Sequence, residues 1–153
     1  MKNFNLKITI LYFLSYITLI IGLILNEDFA FGYIRDYELH IKVTDIFDNG
    51  FINGLLNYEE KKVPHSPIYL YYFTLLQHLF GDALIAKIIN IHICLLIPIY
   101  IFKSLKIKYE KNLNIYIYFL PLIFFLSPYF RSGSIWIDDN LLAIVFLSIS
   151  IYY

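Results

Sequence analysis

The sequence predicts an all-α membrane protein, a polytopic helix bundle with about four transmembrane helices and juxtamembrane amphipathic helices in its first outer loop. Two observations support this class. The first is composition: the 153-residue chain is 59% hydrophobic and only 16% charged, and its mean hydropathy is +0.65. Globular chains are about 45–50% apolar and about 25% charged. The second is the recurrence of apolar runs that approach the length of a membrane span. The net charge of zero provides no basic field for nucleic acid, so no such partner is expected.

The first apolar run is predicted to be an uncleaved transmembrane helix. Lys2 and Lys7 precede residues 8–25, and this run approaches the length of about 20 residues that a span needs. A cleaved signal peptide would have a shorter core and a site of small residues, whereas Asn26-Glu27-Asp28 follows directly here. The basic start places the N-terminus inside.

The acidic loop 26–66 contains a predicted amphipathic helix that rests on the membrane. Its apolar residues recur at helical spacing, namely Leu39, Val43, Ile46 and Phe47. Asn49-Gly50 is predicted to end this helix, and Asp36 lies at its start. Asp36 is therefore either a helix cap or a general base at the membrane surface, and the sequence leaves both open.

The next segment, Pro67–Phe80, is predicted to lie in the membrane interface instead of crossing it. It is too short for a perpendicular span of about 20 residues. Thr74, Gln77 and His78 share one side of the predicted helix, and aromatic and aliphatic residues fill the rest. That pattern is typical of an interfacial helix.

Lysine placement then predicts the topology. The loop after the second span is basic and is expected inside, because it carries Lys103, Lys106, Lys108 and Lys111. Because the N-terminus and this loop are both expected inside, the chain must cross the membrane an even number of times between them. Pro67–Phe80 does not cross, so 83–102 is predicted to be the second span. Leu113–Phe130 is predicted to be the third span, and Ile135–Tyr153 begins a fourth. Asp138 and Asp139 then lie on the outer side, level with the acidic loop.

The whole chain, 1–153, is predicted to be a single domain in the cytoplasmic membrane. It comprises the first span (1–25), the outer loop with its interfacial helices (26–81) and the further spans (82–153). Because the apolar run 141–153 stops in mid-segment, we expect the chain to be the N-terminal piece of a longer protein.

The candidate site residues lie on the predicted outer side. Acids at a membrane edge are costly to maintain and are functional candidates by default. The first group contains Asp36, Glu38 and His40. Asp138 and Asp139 form a second group, of which a helix cap explains one member.

Basic residues form the remaining candidates. Lys61, Lys62 and His65 precede the interfacial helix, where they either anchor lipid headgroups or bind a phosphate. Arg131 lies close to the later acids in sequence, where it could neutralise one of them or clamp an anionic group.

Other polar residues are given structural roles. Cys94 lies inside an apolar run, so no disulfide or cysteine metal motif is expected. Lys87 is expected to extend towards the membrane surface, and Asn90 and His92 are expected to bond to neighbouring helices. His40, His65 and the acids lack tight ligand spacing, so no metal ligand is assigned and a divalent cation is left open.

The order of these features resembles the GT-C glycosyltransferases that use lipid-linked sugars, especially the protein O-mannosyltransferases and the lipid A aminoarabinose transferases. In those enzymes an Asp-Glu motif follows the first span, and here Arg35-Asp36-Tyr37-Glu38-Leu39-His40 stands in that place, with Tyr37 separating the acids. A turn before an aromatic helix that ends Leu79-Phe80-Gly81 matches the next family feature. Ile137-Asp138-Asp139-Asn140-Leu141 matches an aspartate at the outer start of a later span.

This resemblance implies an enzyme that transfers a sugar from a polyprenyl-phosphate donor to an acceptor hydroxyl at the outer membrane face. Its partners would be that donor and membrane lipid. Asp36 or Glu38 would be the base, and Glu38 or Asp139 would orient the acceptor, the base or a metal. The residues expected to steady the departing phosphate are Lys61, Lys62, His65 and Arg131.

Two alternatives remain open at the level of sequence. A transporter or flippase segment would place ionisable groups at the middle of the bilayer and would contain broken helices. A small structural or assembly protein would use the acids only as helix caps, and Asp36 and Asp139 would then lie far apart.

Overall fold

The computed structural model describes residues 2–28, 32–61, 65–81, 83–109 and 115–153, and every regular element in these ranges is helical. The all-α prediction is therefore confirmed for this part of the chain. In order, the elements are α1 (Lys2–Ile24), α2 (Tyr33–Val43), a 3₁₀ segment (Thr44–Phe47), α3 (Phe51–Leu56), α4 (Tyr58–Lys61), α5 (Pro67–Phe80), α6 (Ala83–Cys94), α7 (Leu96–Lys108), α8 (Ile115–Phe119), a 3₁₀ segment (Leu120–Leu122), α9 (Ile123–Leu126), α10 (Pro128–Ile135) and α11 (Asp139–Tyr152).

Only one helical segment in the described ranges is long and apolar enough to cross a membrane by itself. This is Ala83–Lys108, which combines α6 and α7 over 26 residues. The pair α10 and α11 meets the same test only when taken together, and it is bent by 108°. Thr9–Ile24 and Tyr116–Leu126 are apolar but shorter. A bundle of four complete spans is therefore not confirmed.

The predicted third span, 113–130, is interrupted in the structure. Pro121 lies in the 3₁₀ segment after α8, and Ser127 adopts an extended conformation (φ −74°, ψ 120°) before Pro128 begins α10. Proline removes a helix hydrogen bond and disfavours helical geometry in the residue before it. Ile135 ends α10, so it does not begin the fourth span as predicted.

Helix α5 has the predicted bounds, but its polar side is not uniformly exposed. Tyr69, Leu70, Phe73 and Leu76 are buried against α6 and the loop segment 44–47. Thr74, which was assigned to the polar side, is only 1% exposed and donates its hydroxyl to the Leu70 carbonyl at 2.9 Å. A threonine can enter an apolar contact because its own helix accepts this hydrogen bond.

The outer-loop helix begins earlier than the sequence suggested. Gly32, with φ 113°, is the N-cap of α2, so Asp36 lies in the first turn and is not the cap. The helix also ends earlier than the predicted stop at Asn49-Gly50, because α2 ends at Val43 and a 3₁₀ segment continues to Phe47; Gly50, with φ 99°, is the N-cap of α3. Tyr37 and His40 are buried, so α2 packs one face against the rest of the chain.

Asn90 and His92 connect α6 to other helices, as predicted. The Asn90 amide donates to the Ser134 carbonyl at 2.8 Å and accepts from the Tyr72 hydroxyl at 2.9 Å. The His92 Nε2 lies 3.0 Å from the Tyr16 hydroxyl. These bonds satisfy polar groups within an apolar segment.

An ion pair ties the end of α1 to α10. The Arg131 guanidinium donates to both Glu27 carboxylate oxygens, at 2.5 and 2.6 Å. Its other hydrogens go to the Thr18 hydroxyl at 2.8 Å, the Thr18 carbonyl at 3.1 Å and the Phe125 carbonyl at 3.2 Å. Arginine has five N–H donors, and these five acceptors engage all of them. The two side chains are only 15% and 8% exposed.

We expect Arg131→Met to destabilise the fold by about 3–5 kcal/mol, because it leaves the Glu27 carboxylate buried without its partner. Denaturant unfolding followed by circular dichroism in detergent measures the loss. The control is His78→Ala, which breaks the pair His78–Asp48, whose side chains are 53% and 52% exposed. It should cost less than about 1 kcal/mol. Equal losses in the two variants would contradict a structural role for Arg131.

Candidate functional site

Four side chains from three separate segments form one hydrogen-bonded line, which we call the histidine relay (Asp139, His65, His40 and Tyr69). The Asp139 carboxylate lies 3.0 Å from His65 Nδ1, and the two histidine Nε2 atoms are 3.0 Å apart. His40 Nδ1 lies 2.8 Å from the Tyr69 hydroxyl. Tyr69 also contacts the Ile137 carbonyl. The relay thus joins α2, the start of α5 and the start of α11.

The break between α10 and α11 places Asp139 in this line. Asp138 is the N-cap of α11, since its carboxylate accepts from the Leu141 N–H at 3.2 Å. The expectation that a cap explains one of the two acids is therefore confirmed. Ile137 has φ 58°, a costly conformation for a β-branched residue. Strain of this kind is concentrated at functional sites.

The hydrogen bonds determine where the protons of the relay lie. A hydroxyl has one hydrogen, and the Tyr69 hydrogen goes to the Ile137 carbonyl, so the Tyr69 oxygen accepts from His40 Nδ1–H. The Asp139 carboxylate likewise accepts from His65 Nδ1–H. With two neutral rings, both Nε2 lone pairs would then face each other across 3.0 Å. A hydrogen bond between the two rings therefore requires a hydrogen on one of the two Nε2 atoms.

Burial favours the neutral form of His40. His40 is only 3% exposed, and burial, followed by the charge of His65, lowers the pKa of His40 to about 4, while Asp139 and Asp36 oppose the shift. Burial and the nearby Asp139 also raise the pKa of Tyr69 well above its ordinary value. Near neutral pH, His40 is therefore neutral and Tyr69 keeps its hydrogen.

Asp36 and Glu38 both lie on α2 and are exposed, but only Asp36 is electrostatically linked to the relay. Asp36 precedes His40 by one helical turn. Its charge opposes the lowering of the His40 pKa and contributes to the rise of the Tyr69 pKa. Within the described ranges neither carboxylate forms a hydrogen bond or an ion pair. Asp36 is therefore an accessible carboxylate one helical turn from the relay.

The other predicted site residues are placed differently. Lys62 and the side chain of Lys61 lie outside the described residues. Arg131 has all its donors engaged in the ion pair with Glu27, so we assign it to architecture. Asp138 adjoins the relay as a helix cap and accepts from the Tyr129 hydroxyl at 2.9 Å.

Two tyrosines of the site were missed by the sequence reasoning. Tyr69 was assigned to the apolar side of an interfacial helix, and Tyr58, whose hydroxyl donates to the His65 carbonyl, was not considered. His65 precedes α5, so its four-residue spacing from Tyr69 does not place the two on one helical face. No sequence signal indicated their contact with α11.

A metal site of the usual kind is not present in the described part of the chain. No three of its histidine, cysteine, aspartate and glutamate residues are grouped so that they could hold an ion. The relay histidines instead bond to each other and to Asp139.

Comparisons with known proteins identify no relative. No family model matches the chain, and no curated protein or solved structure matches it significantly.

The lowered pKa of His40 predicts that the folded chain becomes less stable at acid pH. An unfolded chain protonates His40 near its ordinary pKa of 6.5, whereas the folded chain does so only near pKa 4. The unfolded state therefore binds more protons between these values, and the free energy of unfolding falls as the pH drops, by on the order of 3 kcal/mol.

Urea unfolding at about pH 7 and about pH 4.5 measures this effect. His40→Gln should flatten the dependence, and His92→Gln, which removes an exposed histidine bonded to Tyr16, should leave it intact. If the free energy of unfolding of His40→Gln depended on pH as strongly as that of the unmodified chain, the assignment of a neutral, buried His40 would be contradicted.

Proposed function

We propose that this chain is the N-terminal part of a GT-C-type glycosyltransferase that moves a sugar from a polyprenyl-phosphate donor to an acceptor hydroxyl at the outer face of the cytoplasmic membrane. One observation carries the proposal. Asp36 is an exposed carboxylate without a hydrogen-bond partner in the described residues, on the same face of α2 as His40, and its charge acts on a buried relay that reaches Asp139.

The chemistry is a single displacement. The acceptor oxygen attacks the anomeric carbon, the bond from that carbon to the phosphate oxygen breaks, and the phosphate leaves with the electron pair. Asp36 accepts the hydroxyl proton, and the sugar is inverted. A positioned base contributes about 10²–10⁴-fold. His65, with Lys61 and Lys62, remains a candidate for stabilising the charge of the departing phosphate.

The proposed membrane arrangement retains four spans with the N-terminus inside. The segment Ala83–Lys108 supports it as a complete span, and its lysine-rich end agrees with an inner location. In this arrangement α2, α5 and the start of α11 meet at the outer boundary. An outer-face transferase requires a donor that arrives through the membrane, which a polyprenyl-phosphate sugar provides.

A transporter segment is the second candidate, and one observation favours it. The helices from α8 to α11 are discontinuous, and the bend of 108° adjoins a buried cluster of ionisable groups. Transporters place such breaks at their binding sites. Substrate-dependent flux in proteoliposomes, without sugar transfer, would select this alternative. A purely structural role would use Asp138 as a helix cap and the Asp139–His65 bond as a tie between the outer loop and α11.

The base assignment is tested in the full-length gene product with a polyprenyl-phosphate sugar donor. Asp36→Asn should lower the turnover number by about 10²–10⁴-fold, because the amide cannot accept the proton. Glu38→Gln tests the neighbouring acid, and Asp48→Asn is the matched control because its carboxylate pairs with exposed His78. Unchanged turnover in Asp36→Asn, with folding intact, would end the assignment.

The topology is tested by labelling single cysteines with a membrane-impermeant thiol reagent, after Cys94→Ser removes the one native cysteine. Asn57→Cys should react in intact cells. Tyr109→Cys, at the exposed end of α7, should react only after permeabilisation. Labelling of the Tyr109 position from outside would overturn the common outer location of the acids.

A further inference from the structure

A surface cavity of about 310 Å³ is formed by the last part of α7 and the end of α11. It is lined by Lys103, Lys106, Ile107 and Tyr152. The two lysines are three residues apart, so they lie on the same face of α7. The lining residues that the structure describes include two cations and no acid. The cavity therefore presents positive charge to a ligand.

Two aromatic rings position Lys103 at this cavity. Its Nζ lies 4.8 Å from the ring centroid of Tyr100 and 5.5 Å from that of Tyr152. The two rings contact each other edge to face, with their centroids 5.4 Å apart. Such rings attract the charge of an ammonium group but do not replace its conventional hydrogen bonds. Because Tyr152 also lines the cavity, the cation is held at the cavity wall.

Neither lysine of the cavity has an anionic partner within the described ranges. Neither Lys103 nor Lys106 takes part in an ion pair or a hydrogen bond there. Like charges at this helical spacing repel each other. An anion in the cavity would therefore relieve that repulsion and gain two attractive contacts.

The electrostatics of the helix end explain only part of this charge. The carbonyl end of a helix favours cations, but the effect is confined to about the last turn. Lys106 and Lys108 lie in the last turn of α7, whereas Lys103 lies more than one turn before Lys108. The position of Lys103 is therefore not accounted for by the end of the helix.

The location of the cavity favours a lipid as the source of the anion. It lies at the lysine-rich end of Ala83–Lys108, the segment that is long and apolar enough to cross a membrane. Ile99 precedes Lys103 by one turn on the same face of α7 and is exposed, so apolar surface adjoins the cations. Basic pockets between membrane helices bind the headgroups of anionic lipids.

We infer that this cavity binds the phosphate group of an anionic membrane lipid, with Lys103 and Lys106 as its cations and the acyl chains along the exposed apolar face of α7. The cavity lies at the end of α11, whereas the histidine relay lies at its start. The inference therefore goes beyond the proposed transferase and does not depend on it. Inorganic phosphate presents the same anionic group, and the experiment separates the two sources.

The test counts bound lipids by native mass spectrometry of the full-length gene product released from a neutral detergent. Phosphatidylglycerol, phosphatidylcholine with the same acyl chains, and inorganic phosphate are titrated separately. We expect one saturable site for phosphatidylglycerol. Lys103→Met or Lys106→Met should each weaken it by about fivefold, because one of the two cations is lost. Lys103→Arg, which keeps the charge, should retain most of the affinity.

Lys108→Met is the matched control. Lys108 lies at the same end of α7, with its Nζ 5.7 Å from the ring centroid of Tyr109, and is not among the residues that line the cavity. Its replacement removes the same charge from the same end of the helix, so the affinity for phosphatidylglycerol should be nearly unchanged. Circular dichroism verifies the fold of each variant.

Each outcome has a defined meaning. Preference for phosphatidylglycerol over both other ligands, reduced in the two cavity variants and not in Lys108→Met, supports the lipid site. Equal binding of inorganic phosphate would overturn the assignment to a lipid. An equal loss in Lys108→Met would indicate diffuse attraction to the basic helix end and would overturn the cavity site. Equal binding of phosphatidylcholine, or no saturable binding, would overturn it as well.

Discussion

The hydrogen bond between the Asp139 carboxylate and His65 is the interaction on which the candidate site depends. It fastens the outer loop to the start of α11, and it orients His65 so that Nε2 faces Nε2 of His40 at 3.0 Å. The two rings can form this hydrogen bond only when one Nε2 atom carries a hydrogen. The relay so formed lies one helical turn from Asp36 on α2.

The costly charges of this apolar chain are used in distinct ways. Arg131 and Glu27 satisfy each other and join two helices, and Asp138 caps α11. Asp139 belongs to the relay. Asp36 and Lys87 differ from these because, in the described ranges, neither has a hydrogen-bonding partner. Asp36 is the candidate base, and Lys87 lies over the rings of Tyr37 and Trp136.

The break between α10 and α11 connects fold to function. Its 108° bend and the positive φ of Ile137 direct a backbone carbonyl to Tyr69 and place Asp139 in the first turn of α11. A continuous helix through this region could not present both groups to α5. The same discontinuity is what the transporter alternative would use, so the enzyme proposal rests on the carboxylate at Asp36 and not on the bend.

The sequence by itself determined the helical class, the bounds of α5 and the capping of α11 by one of two adjacent acids. These depend on local composition, turn chemistry and helix-end hydrogen bonds. Only the tertiary structure decided that α2, α5 and α11 meet, that Arg131 is engaged by Glu27, that Thr74 is buried and that Lys87 faces Trp136. Such contacts join residues far apart in the chain, and no periodicity records which distant side chain will satisfy a given charge or hydrogen bond.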